Sequence, residues 1–323
     1  SKKPWILWGL LLLTAAFVLI GNRTSYVPLL LAFAMSYPAG EAAIDLSQAV
    51  IIDAAPNDSP RTMTRWTLLS SIGDFLAPLV VSTFVALHLG WSELCWLAAA
   101  LWLVTALLLA PLRFPTPCTD PEVNEISEET SIWASLREAV HDPLLLRWSA
   151  LSIIPTMLDE VFLSFVVLYL RDILHVSEAL IALIVTLPML ASFVGLFLLE
   201  HLLKHRQCSP TRLLTWLSIA TLVGVLGLLV IHTLWMVIVA LLVISASCSG
   251  WYPLAMAEAY ARKPARSGVV RMVIGLGNPF EMALPGAIGL ICASFGIFTG
   301  LSVLGLAPVL MLILLPHRRG LKH

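Results

Sequence analysis

Residues 53–78 read DAAPNDSPRTMTRWTLLSSIGDFLAP, and residues 258–285 read EAYARKPARSGVVRMVIGLGNPFEMALP. The two stretches lie roughly 206 residues apart and carry the same order of chemical features. Asp53, Pro56, Arg61, Arg65, Gly73, Asp74 and Pro78 in the first answer to Glu258, Pro264, Arg266, Arg271, Gly277, Glu281 and Pro285 in the second. Each copy has a carboxylate closing one apolar run, a short basic loop, an arginine opening the next run, then a buried carboxylate and a proline. Both copies run in the same chain direction. Same-direction repeats of a helical block, related about an axis along the membrane normal, build two-lobed membrane assemblies.

The surrounding chain is apolar enough for this. Of 323 residues, 59% are hydrophobic and 12% charged, against about 45–50% and 25% in soluble domains. Apolar runs of about 20 residues recur, each sufficient to cross a hydrocarbon layer about 30 Å thick. Ten spans are expected: Pro4–Ile20, Val27–Asp53, Thr67–Leu87, Trp91–Leu112, Leu146–Leu170, Ala179–Leu203, Leu213–Ile231, Trp235–Met256, Val269–Ala293 and Leu301–Leu315. The expected fold class is therefore all-α and polytopic. Ser1-Lys2-Lys3 and the run behind it resemble a signal peptide, but no small-residue cleavage site follows and further spans come directly after.

Lysine and arginine near spanning helices are retained in the cytoplasm. With the N-terminus inside, all but Arg23 and Arg171 of the 19 fall on the cytoplasmic side. A net charge of −1 gives no general field for nucleic acid. The five cysteines have no metal-like spacing; Cys95, Cys248 and Cys292 sit in apolar runs and Cys118 and Cys208 in loops, as reduced structural thiols. Arg113–His141 is the one long polar stretch, with an acidic centre from Asp120 to Glu129. Its second part reads as an amphipathic helix lying along the membrane surface, with Ile132, Trp133, Leu136 and Val140 on one face.

An ionisable group at the centre of a span costs about 2.5–3.5 kcal/mol on insertion scales, so each is a candidate for function. Glu41, Asp45 and Gln48, spaced at four and seven residues, share one helical face of the second span. That stripe suits a cation or an exchangeable proton; inter-helix hydrogen bonding is its structural alternative. Asp159 and Glu160 lie midway along the fifth span, with Pro155 able to interrupt the backbone ladder before them. In the ninth span Asn278 and Glu281 lie near Pro279 and Pro285, a polar face on broken backbone suited to a substrate cavity. Asp74, one turn before Pro78, reads as structural or gating, paired with Arg65, and Asp53 and Glu258 as latch charges at helix ends. Trp251, Tyr252 and Phe162 are candidates for the cavity lining.

Other chemistries fit worse. Glu200 precedes His201 and His205 instead of following the first histidine, so the zinc-protease order is missing and a surface pair is expected. Gly73-Asp74 lacks the glycine of an intramembrane aspartyl protease, no serine and histidine pair at matched depth, and no nucleotide-binding loop occurs. No metal or cofactor is expected.

If spans two and three correspond to spans eight and nine, spans five and six have no counterparts, and two helices are expected ahead of Ser1. At this point the chain resembles the Major Facilitator Superfamily, with six-plus-six helices and a central cytoplasmic loop. Ser1-Lys2-Lys3-Pro4 is similar to the tail of that family's basic Gly-Asp-Arg motif, and Glu200 through Arg212 to a degenerate second copy. Gly73-Asp-Phe-Leu-Ala77-Pro78 occupies the place of the fifth-helix Gly-Pro motif of its antiporters, with Ala77 where glycine is expected.

The resemblance implies two pseudo-symmetric lobes: residues 1–112 with four spans, a central loop 113–145, and 146–323 with six. It implies alternating-access secondary transport of a small solute, coupled to protons or another cation, by a monomer in the cell (inner or plasma) membrane with both full-length termini cytoplasmic. Glu41, Asp45, Gln48, Asp159, Glu160, Asn278 and Glu281 are then the coupling and substrate candidates. Asp53, Arg65, Asp74, Pro78, Glu258, Arg271 and Pro285 are the gating or structural ones. The rival expectation is a membrane sensor or intramembrane enzyme using the same helical frame.

Overall fold

The computed structural model describes residues 2–22, 26–55, 58–114, 132–205, 208–230, 233–263 and 267–316, and among these there is helix and no strand. Ten helical stretches are long and apolar enough to cross a membrane. Span 1 is α1 (Lys3–Gly21). Span 2 is α2 (Tyr26–Gly40), a π turn over Glu41–Asp45, and α3 (Leu46–Ala54). Spans 3 and 4 are α4 (Ser59–Ala86) and α5 (Trp91–Leu109). The short α6 (Ile132–Val140) precedes span 5, which is α7 (Pro143–Ile153), a 3₁₀ turn over Ile154–Met157, and α8 (Glu160–Asp172). Spans 6 and 7 are α9 (Glu178–His205) and α10 (Pro210–Val230). Span 8 is α11 (Leu234–Cys248) with α12 (Trp251–Arg262), and span 9 is α13 (Ser267–Gly275) with α14 (Asn278–Phe295). Span 10 is α15 (Ile297–Leu304) with α16 (Ala307–Leu314).

One difference from the sequence reading concerns a helix end. α4 begins at Ser59, well before the expected Thr67, because Arg61 and Arg65 lower the hydropathy of a turn that is nonetheless helical. α6 packs on α13, with Ala139 buried and Glu138 paired to Lys263. The acidic residues 115–131 lie outside the described residues, as do Pro56, Pro264 and Arg266.

The chain divides into two compact units, residues 1–56 with 72–124, and residues 57–71 with 125–323. In the first, α1 lies against both span 2 and α5. Ile6, Leu10 and Leu13 recur at helical spacing and close on Ala39, Ala43 and Ala106. One end of this layer is fixed by Lys3, whose ammonium donates to the carbonyls of Ala110 and Leu112 at 2.6 and 2.9 Å beyond the C-terminus of α5.

In the second unit, Asp142 caps α7 by accepting from the amides of Leu144 and Leu145, with Pro143 in the first turn where no amide is needed. Arg147 then donates to the carbonyls of Ile313, Leu314 and Leu315, which end span 10 and have no intrahelical partner of their own. α12 packs on α7, α11 on both α9 and α10, and α16 on α10. Spans 9 and 10 form a tight hairpin through Gly296, at φ 90°.

Candidate functional site

In unit one the candidate carboxylates sit on a fault in the helix. Pro38 lies inside α2 and deprives the ladder of one amide donor. Immediately beyond it the backbone passes into the π turn, whose five residues, Glu41 to Asp45, begin and end with the two acids. An i→i+5 turn inserts about one residue relative to α, so the helix beyond it is rotated by about 100°. Glu41 and Asp45 remain half-buried, whereas Gln48, expected beside them, is 2% exposed in α3. The single-face stripe drawn from α-helical spacing therefore does not hold through the fault.

The π turn is seated against α1. A methyl group at Gly9 would lie 2.7 Å from both the Ala39 carbonyl oxygen and the Ala43 amide nitrogen, and 3.0 Å from the Ala42 carbonyl carbon. The backbones touch there. At the end of the same span Asp53 accepts from the Lys2 ammonium at 2.5 Å, the carboxylate side chain only 9% exposed.

Asp74 does not occupy the position expected of it. It lies exposed on the uninterrupted α4, in a stretch where Ile72, Phe75, Leu76 and Leu79 are exposed as well. Arg65, its expected partner, donates instead to Glu200 near the end of α9, at 3.1 Å, and Arg61 donates to the same carboxylate oxygen at 2.9 Å. Glu200 is thus a shared acceptor for two arginines, a role the sequence could not single out because the partners lie more than a hundred positions apart. Pro78 lies within the same α4, which continues unbroken through it to Ala86.

In unit two, spans 5 and 9 are both discontinuous. Span 5 leaves α geometry at Ile154-Pro155, passes through a 3₁₀ turn, and restarts at Glu160 with Asp159 at the cap. Span 9 stops at Gly275 and restarts at Asn278, with Gly277 at the cap, Pro279 in the first turn and Glu281 in that same turn. The two faults are in contact: a methyl group at Gly277 would fall 2.0 Å from Ile153 Cδ1, at the end of α7. Asp159 is exposed and within electrostatic reach of the buried Cys248, where span 8 itself turns at Ser249-Gly250. Asn278 and Glu281 are half-buried, and Pro285 is exposed one turn further along α14.

So Asp159, Glu160, Asn278 and Glu281 all sit at or just after the packed faults of two helices. Glu258 and Arg271 are half-buried on α12 and α13, which pack on each other. The expected aromatic lining is largely corrected. Trp251 and Phe162 are 0% and 3% exposed and belong to the packed interior, and only Tyr252 is part-exposed. The His201 and His205 rings lie tilted at 46° with centroids 4.5 Å apart, and among the described residues no group of three His, Cys, Asp or Glu could hold a metal ion.

In hydrocarbon every backbone polar group needs an internal partner, so interrupted helix is tolerated only where it is packed in protein or lines a water-filled path. Five of the six mid-span carboxylates belong to such interruptions: Glu41 and Asp45 in the π turn, Asp159 and Glu160 at the 3₁₀ fault, Glu281 in the turn after Gly277. Asp74 is the exception.

Residues 1–158 match the family model described as Major Facilitator Superfamily. No curated protein matches the chain. Among solved structures, a variant of the E. coli fucose:proton symporter FucP superposes with a TM-score of 0.77 at 17% identity, covering 97% of this chain and 83% of that one. FucP in the outward conformation gives 0.72 at 18% identity, covering 97% and 82%. The human organic anion transporter MFSD10 (TETRAN) gives 0.74 at 16% identity, covering 98% and 77%. At these identities the likeness is one of fold.

Proposed function

We propose that this chain is a multi-pass membrane protein of the Major Facilitator Superfamily, a secondary transporter rather than an enzyme, and that it carries a small polar solute by proton-coupled alternating access. The observation that supports this is the placement of five of the six mid-span carboxylates on broken helix. Low-dielectric surroundings disfavour the charged form of a carboxylic acid and so bring its proton uptake and release toward physiological pH, which is the property a coupling site needs. Glu41 and Asp45 take the coupling role in the lobe 1–112. Asp159, Glu160, Asn278 and Glu281 take the solute in the lobe 146–323, with 113–145 linking the two. Both termini of the full-length protein face the cytoplasm of the cell whose membrane it occupies, as its cationic loops favour.

The charge inventory narrows the solute. Among the described residues no lysine, arginine or histidine lies in the middle of a span; Arg65, Arg147 and Arg271 sit near span ends. An anion would meet like charge wherever these carboxylates are ionised, in a medium that magnifies the repulsion. A cation or a neutral hydrogen-bond donor such as a polyol meets acceptors. This differs from the organic anion named for the human structural neighbour.

The test is proton movement in vesicles holding the reconstituted full chain and a trapped pH-sensitive dye. Amines, sugars and organic acids are added in turn. An amine or sugar is expected to drive proton flux, and Glu41→Gln to flatten its pH dependence. Flux with organic acids alone, or a pH dependence untouched by both Glu41→Gln and Asp45→Asn, overturns the proposal.

A further inference from the structure

We infer that Gly9 is the positioning residue of the coupling pair, holding the π turn of span 2 in register against α1. The inference rests on the assignment of proton coupling to Glu41 and Asp45 and adds what fixes their place. Gly9 is buried in the middle of the α1 stripe, between Ile6 one turn before and Leu13 one turn after, both buried. The atoms a side chain there would strike are the Ala39 oxygen, the Ala42 carbonyl carbon and the Ala43 nitrogen. All three are backbone, and they bracket Glu41 on both sides.

That geometry separates Gly9 from an ordinary small residue in a seam. A clash with a side-chain tip is relieved by a rotamer change, but one with backbone on two sides of the fault is relieved only by moving the helix or reshaping the turn. Ala39 and Ala43, 1% and 3% exposed, face α1, and the acids branch from Glu41 between them and from Asp45 just beyond. Contact at Gly9 therefore fixes the segment from which both carboxylates project. A π turn differs from continuous α-helix by one hydrogen-bond register, so its retention depends on packing from outside the helix. Ile6, Leu10 and Leu13 supply the apolar surround, and Gly9 the closest approach.

The pair's protonation is read without knowledge of the solute. Dicyclohexylcarbodiimide reacts with protonated carboxyl groups in apolar surroundings, and mass spectrometry locates the adducts at Glu41 and Asp45 across a pH series. The full chain in vesicles is compared with Gly9→Ala and with Gly289→Ala, a span position where an added methyl meets open space. Gly9→Ala is expected to shift the labelling midpoint of the pair by at least about 0.5 pH unit with helix content by circular dichroism retained. Gly289→Ala is expected to leave the midpoint alone. If Gly9→Ala does not fold, Ala43→Ser, which adds one oxygen from the facing side of the same seam, decides in its place.

An unshifted midpoint in the folded variant overturns the inference, as does an equal shift in Gly289→Ala. A wild-type pair that shows no pH-dependent labelling overturns the coupling assignment instead. The two failures are thereby distinct.

Discussion

Gly277→Ala tests whether the packed faults of spans 5 and 9 matter to the fold and to the solute site together. The new methyl would lie 2.0 Å from Ile153 Cδ1, 3.0 Å from Ile153 Cγ1 and 3.3 Å from the Ile274 carbonyl oxygen. Carbon atoms rest about 3.5–4.0 Å apart, so the isoleucine tip must withdraw by about 1.5–2 Å or the break must open. Overpacking of this kind costs about 1–3 kcal/mol. Because Gly277 caps the helix that carries Asn278 and Glu281, the same displacement reaches the proposed solute site. If all of it appeared there, affinity would fall by about 5- to 150-fold.

The offending atoms belong mainly to one half-buried side chain, so a second substitution removes the cause. Ile153→Ala opens the space, and the double variant Gly277→Ala with Ile153→Ala is expected to be less destabilised than the two single effects added together. Thermal unfolding in detergent and solute-driven proton flux in vesicles measure the two quantities on the same four proteins. A Gly277→Ala protein as stable and active as wild type, or a loss that Ile153→Ala leaves undiminished, would refute the reasoning.

Two further expectations concern charge. Glu200 accepts from both Arg61 and Arg65, but the Arg61 side chain is 23% exposed and that of Arg65 55%, so water screens the second contact more. Double-mutant cycles of unfolding should give a coupling of about 1 kcal/mol or more for Arg61 with Glu200 and a smaller one for Arg65; the reverse order would contradict the geometry. For Lys2 and Asp53, Asp53→Asn is expected to lower thermal stability, and exchanging the charges through Lys2→Asp with Asp53→Lys to recover part of it. Additive single effects with no recovery would show that the 2.5 Å pair contributes nothing.

The interruptions are only half legible in the residues themselves. Pro155 announces the fault in span 5, because a missing amide and a ring clash are local facts. Pro38 gives similar warning in span 2, yet nothing in the residues from Glu41 to Asp45 distinguishes a π turn from an α turn. The stripe of Glu41, Asp45 and Gln48 fails for that reason: it assumes one helical phase where there are two. Asp74 fails differently. A place within an apolar span implies cover from neighbouring helices, whereas the described residues around it on α4 are exposed.

What the sequence determined by itself was the number of spans and which carboxylates fall within them. Both follow from a constraint applied residue by residue, since hydrocarbon about 30 Å thick requires about 20 apolar positions and makes every charge among them conspicuous. Only the tertiary structure decided that five of those six carboxylates stand on broken helix. It also decided that Gly9 and Gly277 admit a second segment at the break, and that one glutamate holds two arginines. These depend on contacts between residues remote in the chain. An interrupted hydrogen-bond ladder survives in a membrane only where packing from elsewhere sustains it, and no local pattern can report that packing.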